Sequence, residues 1–218
     1  MTGSPLQRAY DATWGRLFAA IYDRSLAATE EAGLGDRRAE LLAGASGRVL
    51  EIGAGTGVNL ERYPAAVTEL ILTEPFEPMA RRLRERVAAA GREAQVVVAP
   101  AERLPVADGS IDTVVVTLVL CTVGDLPATL DEVARALKPG GRLLFIEHVR
   151  SDDPQLARKQ DRLERPWRFV AHGCHPNRDT GAAIEASPLQ ISELEHGRMP
   201  KSPQFVKPLV QGVAIKPG

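Results

Sequence analysis

The sequence predicts an α/β fold in which a mostly parallel sheet carries helices on both of its faces. Two observations indicate it. Short, continuous apolar runs alternate with segments of helical periodicity, and the first such run ends in a glycine-rich loop. The chain has 218 residues, of which 44% are hydrophobic and 25% are charged, as in a globular protein with a substantial core. That length suits one large domain.

The chain begins with a segment of helical periodicity. Apolar residues recur at helical spacing over residues 6–31, which predicts an amphipathic helix, continuous or broken. A second helix is predicted over 36–42. The apolar stripe of the first helix includes Trp14, Phe18 and Tyr22. Such a stripe most often packs against a domain, and a lid over a bound ligand is the alternative.

Strands and helices then alternate along the chain. Strands are predicted at 48–53, 69–73, 94–99, 111–119 and 142–148, and helices at 58–62, 78–90 and 126–137. A turn at 138–141 precedes the fifth strand. Beyond that strand, helices are predicted at 155–164 and 177–186, and a hairpin of strands at 189–194 and 205–214. We expect one globular unit at 45–218, preceded by a helical lid at 1–44.

Charge and cysteine content exclude several classes of protein. The 27 Lys and Arg residues nearly balance the 28 Asp and Glu residues, for a net charge of −1, so we expect no nucleic-acid partner. Cys121 and Cys174 are too few for a disulfide scaffold, which indicates the cytoplasm. Arg16 and Asp23 bracket the most apolar N-terminal stretch, so no signal peptide is expected. No segment approaches the ~20 apolar residues of a membrane span.

A glycine-rich loop follows the first predicted strand. Residues 51–57 are Glu-Ile-Gly-Ala-Gly-Thr-Gly, and ligands of doubly wound sheets bind where such strands end. Glycines let the backbone approach a ligand closely. A dinucleotide fingerprint needs a glycine at the sixth position from Gly53, where this chain has Val58. The Glu51 carboxylate favours a cationic group, such as the ammonium or sulfonium of S-adenosylmethionine.

A second acid ends the next predicted strand. Glu74 can accept hydrogen bonds from both hydroxyls of a ribose, and an ordinary solvated carboxylate is the alternative. Because Glu51 and Glu74 end adjacent strands, we expect them to frame one ligand site. Two other classes stay open as alternatives, a nicotinamide-dependent oxidoreductase and a non-catalytic nucleoside-binding module.

With these residues, the stretch 49–148 resembles the class I S-adenosylmethionine-dependent methyltransferases of the type 11 kind, which include quinone-biosynthesis methyltransferases. The resemblance implies a Rossmann-like, seven-stranded, mostly parallel sheet with a reversed last strand. It also implies methyl transfer from S-adenosylmethionine that leaves S-adenosylhomocysteine. The cofactor-binding residues that it implies are Glu51, Gly53, Ala54, Gly55, Thr56, Gly57, Asn59, Glu74, Pro75, Phe76, Met79, Ala101, Glu102, Thr117 and Leu118.

The chain departs from that family directly before Ala101. The family commonly has an aspartate at this position, and this chain has Pro100. The adenine contact therefore falls to the Ala101 backbone or to the Glu102 side chain.

Three shorter segments, 108–123, 145–149 and 166–174, are similar to the methyltransferase-like protein 7 family, which methylates thiols. This resemblance implies a small-molecule acceptor, a lipophilic thiol. A lipid of the phosphatidylethanolamine kind or a quinol is the alternative. Members of that family carry an N-terminal hydrophobic anchor on lipid membranes. This chain shows none, so we expect no such anchoring, although the amphipathic first helix can contact a lipid surface.

The acceptor side of the site has several candidates. Methyl transfer from a sulfonium depends mainly on alignment, and thiols ionise near pH ~8.5, so a strong base is optional. The candidates for a catalytic role are Glu147 and His148, at the end of the fifth predicted strand. A locally hydrogen-bonded histidine is the alternative for His148. The substrate-binding candidates are Cys121, His172, Cys174, Arg178, Trp14, Phe18 and Tyr22.

Each of these side chains also has a structural interpretation. Cys121 is more often a small buried hydrophobe than a thiol that lines a pocket. Arg178 either binds an anionic acceptor or caps a helix carbonyl. The compact cluster at 172–175 lacks a second well-spaced pair of ligands, so we expect no metal ion.

Overall fold

The computed structural model describes residues 10–218, apart from the side chains at positions 11 and 12. The strands are β1 (Gly47–Ile52), β2 (Val67–Thr73), β3 (Gln95–Val97), β4 (Ile111–Thr117), β5 (Leu137–His148), β6 (Gln190–Arg198) and β7 (Pro208–Ile215). The helices are α1 (Arg16–Thr29), α2 (Gly35–Leu42), α3 (Glu77–Ala90), α4 (Leu126–Ala136), α5 (Pro154–Val170) and α6 (Thr180–Glu185). Within the described range, no helix combines the length and the apolar character that crossing a membrane requires.

The strands form one seven-stranded sheet in the order β3-β2-β1-β4-β5-β7-β6. The pairs from β3 to β5 are parallel, and β7 runs antiparallel between β5 and β6. The predicted α/β fold with a reversed last strand is therefore confirmed. The chain leaves β1 toward β2 on one side and reaches β4 on the other, so the sheet has its switch point between β1 and β4. Ligands of such sheets bind in the crevice at that point.

The N-terminal segment is helical from residue 10 onward, and residues 6–9 of the predicted helix lie outside the described residues. Short π-helical segments, Asp11–Gly15 and Glu30–Leu34, flank α1. The break that the sequence left open lies at Gly33, whose φ of 125° suits glycine. Beyond it, Leu34, Leu41 and Leu42 are buried in the core on one side of the sheet, so α2 belongs to the body of the domain.

Two local predictions are wrong. The helix predicted at 58–62 is only a 3₁₀ turn, Leu60–Arg62, because Pro64 follows and Tyr63 before it takes the extended conformation (φ −68°, ψ 128°). The turn predicted at 138–141 is part of β5, which starts at Leu137. Its backbone is paired there, since the Gly140 amide donates to the carbonyl of Lys216 at 2.9 Å.

Candidate active site

The glycine loop lies at the switch point, directly after β1. Gly53, Gly55 and Gly57 all have positive φ, at 63°, 59° and 87°. A Cβ at Gly53 would lie 2.7 Å from Val119 Cγ2, and one at Gly57 would lie 2.8 Å from Leu83 Cδ1. At Gly55 the nearest atom would be Tyr22 Cε1, at 3.9 Å. Packing therefore requires glycine at Gly53 and Gly57. Next to Gly55 there is open space between the loop and Tyr22, the Gly55 cradle, which a side chain at this position would occupy.

Glu74 connects the end of β2 to this loop. Its Oε2 accepts a hydrogen bond from the Gly55 amide at 2.9 Å, and its Oε1 accepts one from the Phe76 amide at 2.9 Å. Burial raises the pKa of Glu74 to about 7, although both hydrogen bonds oppose that shift. A carboxylate has roughly four lone-pair positions, so both oxygens can still accept from a ligand hydroxyl.

Glu51 lies below the glycine loop rather than facing it freely. Its oxygens accept hydrogen bonds from Asn59 Nδ2 at 2.8 Å and from the Tyr63 hydroxyl at 2.7 Å. Only 2% of Glu51 is exposed, and burial raises the pKa of its carboxyl group. The Glu51 carboxylate therefore holds the side chains of Asn59 and Tyr63 in place below the loop.

Sequence reasoning missed Arg38, which completes this polar network. Its Nη1 donates to Thr117 Oγ1 at 2.6 Å and to Asn59 Oδ1 at 3.2 Å, and its Nε pairs with Glu30 at 2.9 Å. Arg38 is only 3% exposed. The signal was present in the sequence, since Arg38 occupies a position of the apolar stripe that also includes Leu34 and Leu42. A charge on a buried helical face needs partners of this kind.

Glu147 holds the loop that follows β4. Its Oε1 accepts from the amides of Val119 and Leu120 at 2.7 and 2.9 Å, and its Oε2 accepts from the Cys121 amide at 3.2 Å. The side chain is fully buried, which raises its pKa to about 7. On the other side of the loop, Arg178 donates to the Leu120 carbonyl at 2.7 Å. Burial lowers the pKa of Arg178.

His148 lies between the two cysteines of the chain. Its Nε2 is 3.4 Å from Cys121 Sγ and 3.1 Å from Cys174 Sγ, and Trp167 Nε1 donates to Cys174 Sγ at 3.3 Å. Burial lowers the pKa of His148 to about 4, so its imidazole is neutral at pH 7. The hydrogen bond with Cys174, followed by burial, raises the pKa of Cys121. Both cysteines are free thiols.

Helix α1 crosses over the site through an aromatic cluster. The His172 ring stacks on Phe18, with centroids 5.3 Å apart, and lies 4.7 Å from Phe76. Trp14 Nε1 donates to the Val170 carbonyl at 3.1 Å. The structure therefore brings the predicted stripe of the first helix against His172, at the end of α5.

The same helix is tied to the glycine loop. The Thr56 hydroxyl donates to the carboxylate of Asp23, and that carboxylate also pairs with Arg86 of α3 at 3.1 Å. Tyr22 lies beside Gly55, and burial raises the pKa of its hydroxyl to about 12.

The predicted adenine loop lies next to the start of α4. Glu102 Oε1 accepts from the amides of Gly124 and Asp125 at 3.0 and 3.1 Å. Ala101 and Met79 are buried, whereas Pro75 is exposed. Both backbone donors bind Glu102 Oε1, so the Ala101 backbone and Glu102 Oε2 both remain candidates for the adenine contact.

Comparisons with known proteins agree with this geometry. A family model described as a methyltransferase domain matches residues 50–145. Thiol S-methyltransferase TMT1A of Homo sapiens is 36% identical over 80% of this chain and 73% of its own length. Thiol S-methyltransferase TMT1B of Homo sapiens is 38% identical over 80% of this chain and 74% of its own length. Phosphatidylethanolamine N-methyltransferase of Cereibacter sphaeroides is 32% identical over 67% of this chain and 72% of its own length.

Solved structures agree on the fold. Geranyl diphosphate C-methyltransferase of Streptomyces coelicolor A3(2), crystallised with S-adenosyl-L-homocysteine, has a TM-score of 0.62 at 16% identity. The similarity covers 83% of this chain and 76% of that one. The cofactor is S-adenosylmethionine, as the class implies. The chain therefore belongs to the class I S-adenosylmethionine-dependent methyltransferases, in the family of the thiol S-methyltransferases TMT1A and TMT1B.

Proposed function

We propose that this methyltransferase acts on a small lipophilic thiol. The observation that carries the proposal is the chemistry of the acceptor end, where two thiols and a neutral imidazole are buried and the rings around His172 are half-buried. Glu147, the carboxylate nearest to them in sequence, already accepts three backbone hydrogen bonds. The names of the TMT1A and TMT1B relatives support a thiol as the acceptor class.

A lipid amine is the second candidate, supported by the phosphatidylethanolamine methyltransferase among the relatives. An alkylammonium has a pKa near that of lysine, about 10.4, and must lose a proton before it can attack. That favours a nearby carboxylate with free lone pairs. Glu147 is committed to backbone amides, so this site favours the thiol.

S-adenosylmethionine supplies an activated methyl group on its sulfonium sulfur. The residues around the glycine loop fit it. Gly55 leaves room for a close approach of the ligand, and Glu74 keeps lone pairs for the ribose hydroxyls. We assign the methionine carboxylate to Arg38 and the polar surroundings of its ammonium to Asn59 and Thr117. The Ala101 backbone or Glu102 Oε2 serves the adenine.

We assign Glu147 and His148 to the acceptor side. Glu147 is a positioning residue, because it fixes the loop that presents Cys121. His148 contacts both thiols and presents a neutral, buried surface to the acceptor. Arg178 supports the same loop from its other side through the Leu120 carbonyl.

We propose that the part of the predicted 1–44 lid that precedes the break at Gly33 acts as the lid, and that α2 belongs with residues 45–218 to the methyltransferase domain. Gly15, directly before α1, lies next to Phe76, while Phe18 stacks on His172 and Asp23 binds Thr56. These contacts span both ends of the site and support this division. Tyr22 covers the Gly55 cradle, so α1 must move before a ligand can enter.

We also propose that the lid contacts a lipid surface that delivers the acceptor. Leu17 and Ile21 of α1 are 50% and 38% exposed, and Phe169 and Val170 of α5 are 60% and 48% exposed. Trp14 binds the Val170 carbonyl, so the two groups lie at adjacent helix ends. Exposed apolar surface of this kind suits peripheral binding to a lipid surface. The free thiols support a reducing compartment such as the cytoplasm.

The test is release of S-adenosylhomocysteine by the purified chain across a panel of alkyl thiols, demethylquinols and phosphatidylethanolamine vesicles. We expect turnover with the longer alkyl thiols. Gly55→Val serves as the inactive control. Turnover with the lipid or the quinol and none with any thiol would overturn the proposed acceptor. Quenching of protein fluorescence by NADH, without binding of S-adenosylhomocysteine, would contradict the cofactor site itself.

A further inference from the structure

Cys121, His148 and Cys174 form a buried cluster whose atoms come from three separate parts of the chain. Cys121 follows β4, His148 ends β5, and Cys174 follows α5. Their potential ligand atoms all lie within 4.8 Å of one another, and all three residues are buried. The sequence predicts no metal ion when only the compact cluster at 172–175 is taken into account. In the structure His175 instead pairs with Glu164 at 2.8 Å.

The spacing of the three atoms suits a zinc ion. Tetrahedral zinc, with bonds of ~2.3 Å to sulfur and ~2.05 Å to nitrogen, holds a sulfur and a nitrogen ligand about 3.6 Å apart. His148 Nε2 lies 3.4 Å from Cys121 Sγ and 3.1 Å from Cys174 Sγ. The two nitrogen-to-sulfur distances therefore need to change by only a few tenths of an ångström. The two sulfurs, which lie within 4.8 Å of each other, need to be about 3.8 Å apart in such a site.

The surroundings of the cluster match those of bound thiolates. Trp167 Nε1 donates to Cys174 Sγ at 3.3 Å, as groups beyond the ligands commonly do for a metal-bound sulfur. Arg178 lies beside Cys121 in the fold, since it donates to the carbonyl of the preceding Leu120 at 2.7 Å. Two thiolates also neutralise the charge of a divalent ion, which lowers the cost of burying it.

We propose that Cys121, His148 and Cys174 bind one Zn²⁺ ion and leave its fourth position to the sulfur of the acceptor. Two cysteines and a histidine with one open position are a ligand set of catalytic zinc. This inference rests on the proposed function, since it assigns that position to the sulfur of a thiol acceptor. It also explains how a buried site ionises a thiol while Glu147 is committed to backbone amides.

The chemical step balances without a further reagent. The acceptor thiol loses its proton to water as its sulfur binds the ion. The sulfur lone pair then forms the new bond to the methyl carbon, while the bond from that carbon to the sulfonium sulfur breaks. Its electron pair stays on S-adenosylhomocysteine. The thioether product is uncharged and a poorer zinc ligand than a thiolate, so it leaves.

The test is metal binding by the purified chain, made without a polyhistidine tag. We expect about one zinc per chain by elemental mass spectrometry. After chelation, Co²⁺ should restore one site with sulfur-to-cobalt charge-transfer absorption. Cys121→Ser and Cys174→Ser should each reduce that absorption and weaken Zn²⁺ binding on the order of tenfold or more. His196→Gln, at an exposed histidine on β6, is the matched control and should change neither.

Circular dichroism and S-adenosylhomocysteine binding check that each variant is folded. If the serine variants do not fold, the cobalt spectrum of the unaltered chain still shows whether cysteine sulfur binds the metal ion. A folded chain that binds S-adenosylhomocysteine but shows neither zinc nor the charge-transfer bands would overturn the site. Thiol methylation at an unchanged rate by the zinc-free chain would overturn the role of the ion and leave the proposed function intact. Zinc binding without any thiol turnover would instead contradict the proposed acceptor.

Discussion

Tyr22 of α1 lies beside Gly55 of the glycine loop, with its Cε1 3.9 Å from the position that a Cβ would occupy. One residue along, Asp23 binds both Thr56 and Arg86, so two adjacent side chains of the helix hold it over the cofactor cradle. The strength of that contact sets how easily the cofactor enters and leaves.

Asp23→Asn should loosen the helix. The variant loses the ion pair with Arg86 and weakens the hydrogen bond with Thr56, at a cost of about 1 kcal/mol. We expect S-adenosylhomocysteine to dissociate about five times faster, measured by stopped-flow fluorescence. Asp36→Asn, at an exposed aspartate of α2, is the matched control. Equal dissociation rates in both variants would contradict the role of Asp23.

Gly55→Ala should weaken cofactor binding by filling the cradle. Gly91, at the end of α3, provides a matched control, because it has nearly the same φ of 61° but nothing within 4 Å of a Cβ. Both alanine variants incur a backbone strain of about 1–2 kcal/mol. We expect only Gly55→Ala to lower the affinity for S-adenosylhomocysteine, by about tenfold or more in isothermal titration. A similar loss in Gly91→Ala would mean that strain alone explains the effect.

Cofactor binding should depend on the ionisation of Glu74. Burial raises its pKa to about 7 from 4.5, so in the ligand-free chain the protonated form contributes stability that is fully present below about pH 4.5. This contribution is lost as the pH rises through about 7. Ribose hydroxyls bind the ionised form better, so affinity for sinefungin should fall as the pH is lowered from 8 to 5.5.

Glu74→Gln provides the comparison for that pH dependence. It should cost about 1.5–3 kcal/mol of binding free energy at pH 8, and should flatten the dependence of affinity on pH. Glu193→Gln, at an exposed glutamate of β6, should retain both the affinity and its slope. Titration calorimetry at several pH values measures both, and an unchanged slope in Glu74→Gln would assign the dependence to another group.

Arg38→Met should destabilise the chain strongly. It removes the nearer of the two arginines that pair with Glu30, leaving Arg62 at 3.7 Å. It also removes the donor to Asn59 Oδ1 and one of the two donors to Thr117 Oγ1. We expect a loss of about 3–5 kcal/mol in the free energy of unfolding, measured with urea. Arg37→Met, at the neighbouring residue whose side chain is 28% exposed and pairs with Glu195, should cost about 1 kcal/mol or less. Comparable losses of unfolding free energy in the two variants would contradict the claim that the burial of Arg38 makes its ion pair more costly to break.

Glu147→Gln should separate positioning from proton transfer. The amide keeps one acceptor oxygen for the donors that the carboxylate serves, so the loop after β4 loosens and kcat falls. The pH profile of thiol methylation should keep its shape, because we assign no proton to this carboxyl group. A profile that loses its lower limb in the variant would instead identify Glu147 as a base.

The sheet and the glycine loop were predictable because their signals are local. An apolar run followed by glycines at 53, 55 and 57 predicts a strand and a tight turn with little help from the rest of the chain. The helix predicted at 58–62 failed for an equally local reason, the proline at position 64. Weighting that proline more heavily would have corrected the prediction.

The polar partners could not be predicted in the same way. Arg38 reaches Thr117 across 79 positions of the chain, and His148 meets Cys121 and Cys174 only because β4, β5 and the end of α5 converge. No motif joins these positions, since their proximity is created by the order of strands in the sheet. The residue types indicate what each side chain can do, and the topology decides which of them meet.

The packing of Gly15 against Phe76 and of Phe18 against His172 seats the N-terminal helix over the site. Under the proposed lid role, the spent nucleoside leaves only while this helix is displaced from Gly55. The enzyme would then complete no more cycles per second than the helix completes openings.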